Sequence, residues 1–121
     1  MKVFVFGNPD LKIDSLPLKI LPELKKHFPN FESIFIDPNE EWDVPEDLYI
    51  IDTVIGIKSP MIFNSLLTFT RAPSVTMHDF DAYANLRLLH KIGKLKNIKI
   101  FGIPPNISEN EALDYLKRYL K

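Results

Sequence analysis

The chain of 121 residues contains no cysteine. This absence excludes disulfide bonds, thiolate metal ligands and cysteine nucleophiles together. Any metal site or acid–base site must therefore be built from aspartate, glutamate or histidine side chains.

An excess of positive charge is also missing, since fifteen Lys and Arg stand against sixteen Asp and Glu and give a formal net charge of −1. Nucleic-acid binding needs a basic excess, so neither nucleic acid nor a membrane surface is an expected partner. No run of about 18 apolar residues occurs that could cross a membrane. The N-terminal segment KVFVFG resembles a strand and not a signal peptide. We therefore expect one domain over residues 1–121, acting in the cytoplasm as a monomer.

Glycine is scarce, with only four in the chain. None of them forms a G-x-G-x-x-G or G-x-x-x-x-G-K-[ST] phosphate loop or a G-x-S-x-G nucleophile elbow. Gly7-Asn8-Pro9 is the one candidate phosphate loop, but Pro9 lacks an amide hydrogen and Asp10 adds a negative charge. A small nucleotide-binding protein is the weakest of three functions considered, and the test is whether nucleotides shift the melting temperature.

Short apolar runs alternate with amphipathic segments along the chain. The predicted strands are Val3–Phe6, Phe31–Ile36, Leu48–Ile51, one or two segments in Met61–Thr70, Ser74–Met77, and Ile98–Phe101. Residues 39–47 are predicted to be a solvated loop with Trp42 as a packing anchor. Strands that alternate with helices predict an α/β sandwich with a largely parallel sheet.

Three helices are predicted, two between these strands and one after the last of them. The first covers roughly Leu16 to His27, and the interior Pro22 favours a kink or a late start near Leu21. The second runs from Phe80 to about Ile92, with Asp79 as its N-cap and Gly93 after its end. The third follows an S-x-x-E capping box formed by Ser108 and Glu111, and its inward residues are Leu113, Leu116 and Leu120.

Polar residues that follow the apolar runs define a candidate site, because ligands of open α/β sheets bind at the carboxyl ends of the strands. These residues are Asn8 and Asp14 after the first strand, Asp37 after the second, Asp52 after the third, and His78 before the second helix. Oxygen and nitrogen donors of this kind suit a divalent transition metal or acid–base chemistry. A structural alternative exists for each aspartate, since Asp at a strand end often caps the following helix or turn.

Asp52 and His78 carry the strongest functional signal. Asp52 has apolar residues on both sides, in LYII and TVIGI, and a carboxylate in such surroundings costs several kcal/mol unless it is paired or metal-bound. His78 lies at a predicted helix N-terminus, which disfavours the protonated imidazole and keeps it able to bind a metal. His27 and His90 are predicted to be surface residues.

Four segments occur in an order that resembles a known family. They are GNPDLKID after the first strand, YIIDTVIGIKSP in mid-chain, MHDF before a helix, and IKIFGIPPNIS near the end. They resemble the nickel–iron hydrogenase maturation endopeptidases, whose segments run G-N-x-x-x-x-D-[DE], then an apolar run with Asp-Ala and a later Gly and Pro, then a His, then G-I-x-P. The resemblance covers essentially the whole chain.

The resemblance implies a three-layer α/β/α sandwich around a five-stranded sheet with one antiparallel strand, which should come from Met61–Thr70. It also implies that Asp14, Asp52 and His78 recognise nickel, with Asn8 and Asp37 in supporting roles. Members of this family remove a C-terminal extension from the hydrogenase large-subunit precursor after nickel insertion. The nickel is carried by the substrate and is not a permanent cofactor of the peptidase, although another divalent metal can be expected to bind the same ligands in vitro. The resemblance names no nucleophile.

The chain departs from the family pattern at four places, one of which is a shortened segment between Gly56 and His78. Ile13 stands at the first acidic position of the D-[DE] pair, Ser15-Leu16-Pro17 replaces the glycines that usually follow, and Thr53 replaces the mid-chain alanine. These departures keep a second function open, a non-catalytic metal-binding or hydrogenase-assembly module on the same fold. It would bind a divalent metal or the precursor without cleaving it.

Overall fold

A computed structural model describes residues 1–8, 10–36, 43–65 and 77–120, and for residues 77–82 it describes the helical backbone without the side chains. The strands are β1 (Lys2–Val5), β2 (Glu32–Phe35), β3 (Asp47–Thr53), β4 (Met61–Phe63) and β5 (Asn97–Ile103). The helices are α1 (Leu16–His27), α2 (Met77–Lys91) and α3 (Glu109–Tyr119), with a 3₁₀ turn at Lys12–Asp14 before α1.

The five strands form one sheet in the order β2-β1-β3-β5-β4. Four strands are parallel, and only β4 is antiparallel, pairing Met61 with Gly102 and Phe63 with Ile100 of β5. The predicted sheet, including the origin of its antiparallel strand within Met61–Thr70, is therefore confirmed.

Helices cover both faces of the sheet and make three layers. Val3, Val5 and Ile51 point towards α1 and α3, whereas Phe4 and Ile50 point towards α2. Strands buried on both faces need apolar residues at most positions, which explains why β1, β3 and β5 are largely apolar in the sequence. The predicted three-layer α/β/α fold is confirmed.

The ends of several elements differ from the predictions. Helix α1 begins at Leu16 and contains Pro22 in its interior, so the suggested start near Leu21 is wrong. Packing of Leu16, Ile20 and Leu24 in the core outweighs the single backbone hydrogen bond that Pro22 cannot donate.

The start of helix α2 and the end of the strand before it were also predicted incorrectly, whereas the helix itself is present as predicted. Met77 is helical and does not end a strand, and Asp79 lies inside α2, so Asp79 is not the N-cap. The remaining prediction of that strand, at residues 74–76, lies outside the described residues. Gly93 has φ of +83° just after α2, as its predicted place beyond the helix end requires.

Helix α3 begins as the capping box predicts. The Glu111 amide donates to Ser108 Oγ over 3.1 Å, and Leu113, Leu116 and Leu120 are buried. Asp37, the loop up to Trp42 and the second half of Met61–Thr70 lie outside the described residues.

Candidate functional site at the carboxyl edge of the sheet

The carboxyl ends of β1 and β3 lie side by side. Val5 is in register with Ile51, and the Phe6 amide donates to the Ile51 carbonyl over 2.9 Å. The residues that follow β1 and the last residues of β3 therefore share one edge of the sheet, which we call the carboxyl edge.

Asp14 reaches this edge through the 3₁₀ turn that follows β1. Its carbonyl accepts a hydrogen bond from the Asn8 amide, and its own amide donates to the Leu11 carbonyl, each over 2.9 Å. The Asp14 residue is fully buried. The sequence predicted Asp14 as a polar site residue after the first strand, and the structure adds its burial and its backbone anchor.

Gly7 explains why the 3₁₀ turn can approach β1 so closely. A Cβ atom at Gly7 would lie 2.9 Å from the Asp14 carbonyl oxygen and 3.1 Å from Leu18 Cγ. Because real Cβ atoms do not approach backbone oxygen that closely, only glycine allows Asp14 this position. The glycine at position 7 thus has a steric cause.

Asn8 has a structural role beside these residues. Its Oδ1 accepts a hydrogen bond from the Asp10 amide over 3.0 Å, an Asx turn that shapes the loop. The Asn8 amide simultaneously holds the Asp14 carbonyl. Asn8 therefore supports Asp14 through the backbone.

Asp52 lies within β3 and not after its end, as the shorter predicted strand had placed it. The strand continues to Thr53, because Asp52 and Thr53 remain in register with Gly102 and Ile103 of β5. Asp52 is fully buried. Its Oδ1 accepts from the Thr53 amide and its Oδ2 accepts from the Tyr83 hydroxyl, both over 2.8 Å. The donated hydrogen bonds favour the charged carboxylate, whereas loss of water disfavours it.

Tyr83 is a site residue that sequence reasoning missed. It comes from α2 and is 3% exposed, and its ring packs edge-on against Phe6 with centroids 5.3 Å apart. One feature of the sequence could have indicated it. Side chains alternate between the two faces of a strand, so Asp52 lies on the same face of β3 as Leu48 and Ile50, which is the face that packs against α2. A polar-tipped residue on the inner face of that helix could have been sought as its partner.

The backbone of His78 lies in the first turn of α2. The far end of α2 leads to the amino edge of the sheet, because the amides of Lys96 and Asn97 donate to the Glu46 carbonyl just before β3. The helix therefore runs from the carboxyl edge to the amino edge, and His78 precedes Tyr83 at the carboxyl edge. The backbone thus places His78 at the same edge as Asp14 and Asp52.

Use of these three residues as a common set of metal ligands stays a prediction. Within the side chains that the structure describes, which include Asp14 and Asp52 but not His78, no group of three or more histidine or acidic residues could hold a metal ion.

His27 and His90 are exposed on helices, as predicted. His27 Nε2 lies 3.7 Å from Glu23 Oε2.

Two clefts lie at opposite edges of the sheet. One of about 680 Å³ lies at the amino edge and is lined by Asp47, Asn97 and neighbouring residues. The other, of about 650 Å³, lies at the carboxyl edge between the 3₁₀ turn and the loops after β3 and β5. Only the second adjoins the strand ends where parallel sheets bind ligands.

Comparisons with known proteins agree on the fold. No protein-family model matches the chain, and no curated protein matches it. The [NiFe] hydrogenase maturation protease HybD from Thermococcus kodakarensis matches with a TM-score of 0.69 at 19% identity, over 100% of both chains. The hydrogenase maturating endopeptidase HybD from E. coli matches with a TM-score of 0.62 at 15% identity, over 98% of this chain and 86% of that one.

A third solved structure, a hydrogenase 3 maturation protease, gives a TM-score of 0.68 at 18% identity, over 100% of this chain and 89% of the other. The chain therefore has the fold of hydrogenase maturation proteases.

In the described part of the chain, no helix combines the length and apolar character needed to cross a membrane.

Proposed function

We propose that the chain is a processing endopeptidase of the hydrogenase maturation family. It removes the C-terminal extension of a nickel–iron hydrogenase large-subunit precursor after nickel has been inserted. The observation that carries the proposal is the match in fold to a hydrogenase maturation protease over the full length of both chains. Two buried aspartates at the carboxyl edge of that fold, Asp14 and Asp52, add a chemical reason.

Asp14, Asp52 and His78 are proposed to bind the nickel that the precursor presents. Two carboxylates and an imidazole form a donor set that suits a divalent transition metal. Burial of both aspartates makes their charged forms costly, and a cation offsets that cost. The set contains no thiolate, which is the soft type of metal ligand. Carboxylate and imidazole ligands suit an enzyme that binds its substrate's nickel for recognition and then releases it. Another divalent ion can occupy the same ligands in vitro.

The nickel of the substrate can polarise the scissile carbonyl or activate water, both of which are general roles of metal ions in hydrolysis. Within the chain, Tyr83 and the Thr53 amide hold the two oxygens of Asp52. The Asn8 amide fixes the backbone of Asp14. These contacts orient the carboxylates before the substrate arrives, which lowers the cost of organising the site. We expect this reaction to take place in the cytoplasm and the enzyme to act as a monomer.

The deciding experiment incubates the protein with a nickel-loaded large-subunit precursor and follows C-terminal trimming by mass spectrometry. The variants are Asp14→Asn, Asp52→Asn and His78→Gln, each checked for folding by circular dichroism. His27→Gln and His90→Gln are matched controls because both histidines are exposed. We expect trimming to require the first three residues and not the controls. Equal trimming by folded variants of all five positions would show that the nickel site is misassigned.

A non-catalytic assembly module is the second candidate function. The observation that favours it is Ile13, which is 46% exposed where the family pattern has an acidic residue. This module would form a stable complex with the precursor and leave it uncleaved. The same incubation decides between the two functions, because turnover of the precursor is incompatible with the module.

A further inference from the structure

The cleft at the carboxyl edge is lined by both apolar and basic residues. We call it the Ile13 groove and define it by its lining residues Lys12, Ile13, Gly56, Ile57, Lys58, Pro105 and Asn106. Ile13 is 46% exposed, and Ile57 and Pro105 are half-buried. Lys12 and Lys58 are exposed. The groove therefore combines an apolar lining with two cations.

Acidic residues are absent from the described lining of the Ile13 groove. Two acidic residues are equally near to Lys12 in sequence. Asp10 lines an adjoining groove together with Lys12 and Lys19, and Asp14 is buried. In a protein whose formal net charge is −1, the described lining of this groove is locally basic. Such a local field favours anionic groups on whatever binds there.

The groove is lined by segments that adjoin the candidate site along the chain. Ile13 directly precedes the buried Asp14 in the 3₁₀ turn, and Gly56 follows β3 four residues after Asp52. A chain bound at those aspartates would have to leave the site past one of the surrounding loops. The Ile13 groove lies between three of them.

We propose that the Ile13 groove binds an extended segment of the peptide substrate in which a large aliphatic side chain is flanked by acidic residues. The aliphatic side chain would pack against Ile13, Ile57 and Pro105, and the acidic side chains would pair with Lys12 and Lys58. This inference rests on the proposed peptidase function and adds a preference for one class of peptide. The substitution of the family's acidic residue by Ile13 makes that preference a property of this chain, because an acid there would repel the same segment.

Peptide binding tests the groove without any cleavage. The probes are short, blocked, fluorescently labelled peptides with leucine between two glutamates, leucine between two lysines, or serine between two glutamates. We expect the first to bind most tightly by fluorescence anisotropy and to weaken as salt is added, since exposed ion pairs are screened.

Charge reversal identifies where the peptide binds. The double variant Lys12→Glu, Lys58→Glu should weaken binding of the acidic aliphatic peptide by about ten-fold, since two exposed ion pairs are replaced by repulsion. The matched control is Lys25→Glu, Lys94→Glu, which changes the net charge equally at exposed lysines outside the groove. Ile13→Asp, which restores the family's residue type, should also weaken binding, whereas Ile13→Leu should retain it.

Two results would overturn the groove assignment. One is equal binding by wild type and the double variant, and the other is no preference among the three peptides. Failure of the peptidase function is seen separately, as absence of trimming of a nickel-loaded precursor by the wild type. If the protein trims the precursor but does not discriminate between the peptides, the proposed peptidase function stands and the groove assignment is wrong.

Discussion

The Tyr83 hydroxyl donates a hydrogen bond to Oδ2 of Asp52 over 2.8 Å, and both residues are buried. This contact joins β3 to α2, the helix whose first turn contains His78. The Tyr83 ring is held in turn by Phe6, which follows β1. The position of one proposed nickel ligand is thereby connected to the helix that supplies another.

Tyr83→Phe should destabilise the protein and weaken the nickel site while preserving the packing of the ring. Loss of a hydrogen bond to a buried carboxylate costs about 1–3 kcal/mol in the free energy of unfolding. We expect a lower urea midpoint with an unchanged slope. We also expect weaker nickel binding by isothermal titration calorimetry, because Asp52 loses a group that orients it.

Tyr119→Phe is the control for that experiment, since Tyr119 is 45% exposed. Removal of the Tyr119 hydroxyl should change the free energy of unfolding by less than about 0.5 kcal/mol. A Tyr83→Phe protein with the urea midpoint and nickel affinity of the wild type would show that the hydroxyl positions nothing.

Gly7→Ala should displace the 3₁₀ turn that carries Asp14. The new Cβ would lie 2.9 Å from the Asp14 carbonyl oxygen, so the backbone must shift. Overpacking of this kind costs about 1–3 kcal/mol. We expect a lower melting temperature together with reduced nickel affinity, measured by calorimetry.

Gly93→Ala is the control for Gly7→Ala. It shows the effect of replacing a glycine by alanine where no steric clash with a neighbouring atom arises. Gly93 has φ of +83° and no atom within 4 Å of a Cβ built on it, so alanine there is strained only through the backbone. It should lower stability by about 1 kcal/mol and leave nickel binding unchanged. If Gly7→Ala also leaves nickel binding unchanged, the close approach of Gly7 to Asp14 is not needed for the site.

Thr53→Val should stabilise the protein. Thr53 is fully buried, and its Oγ1 has no hydrogen-bond partner among the described residues. Replacing an unsatisfied buried hydroxyl by a methyl group of similar size should raise the free energy of unfolding by about 1 kcal/mol. Urea unfolding measures the change, and a loss of stability would show that the hydroxyl has a partner. The family pattern carries an alanine there, which also avoids a buried hydroxyl.

The sequence allowed prediction of the sheet and most of the helices because their signals are local. Continuous apolar runs identify buried parallel strands, and Ser108 with Glu111 marks the start of α3. The predicted N-cap at Asp79 failed because an aspartate can also lie within the first turn of a helix, where its charge is favourable. Local patterns therefore locate elements better than they locate element ends.

The site could be predicted in part, because strand ends are places where polar residues stand out against apolar runs. Asp14 and Asp52 were found in this way. Tyr83 was not, because its function depends on a contact with a residue 31 positions away. Nothing in a helix sequence distinguishes a tyrosine that packs in the core from one that also binds a carboxylate.

The last prediction concerns Tyr115, which lies beside Tyr119 on α3 with ring centroids 4.7 Å apart. Partial burial raises the pKa of Tyr115 above its ordinary value of 10.0, and the neighbouring Tyr119 raises it further. Below the ordinary pKa the tyrosine is neutral in both the folded and unfolded states, so it does not make stability depend on pH. Above it the unfolded chain releases the proton first, and stability falls as pH rises through the higher pKa of the folded state.

Urea unfolding at a series of pH values on both sides of 10.0 tests this effect in the wild type and in Tyr115→Phe. Lysine titration affects both proteins alike, so the difference between them isolates Tyr115. We expect the free energy of unfolding of Tyr115→Phe to fall less steeply with pH in this range. Tyr119→Phe should give an intermediate slope, because it removes the charge of the neighbour but not the burial. Identical slopes in the wild type and Tyr115→Phe would show that Tyr115 ionises equally in the folded and unfolded chains.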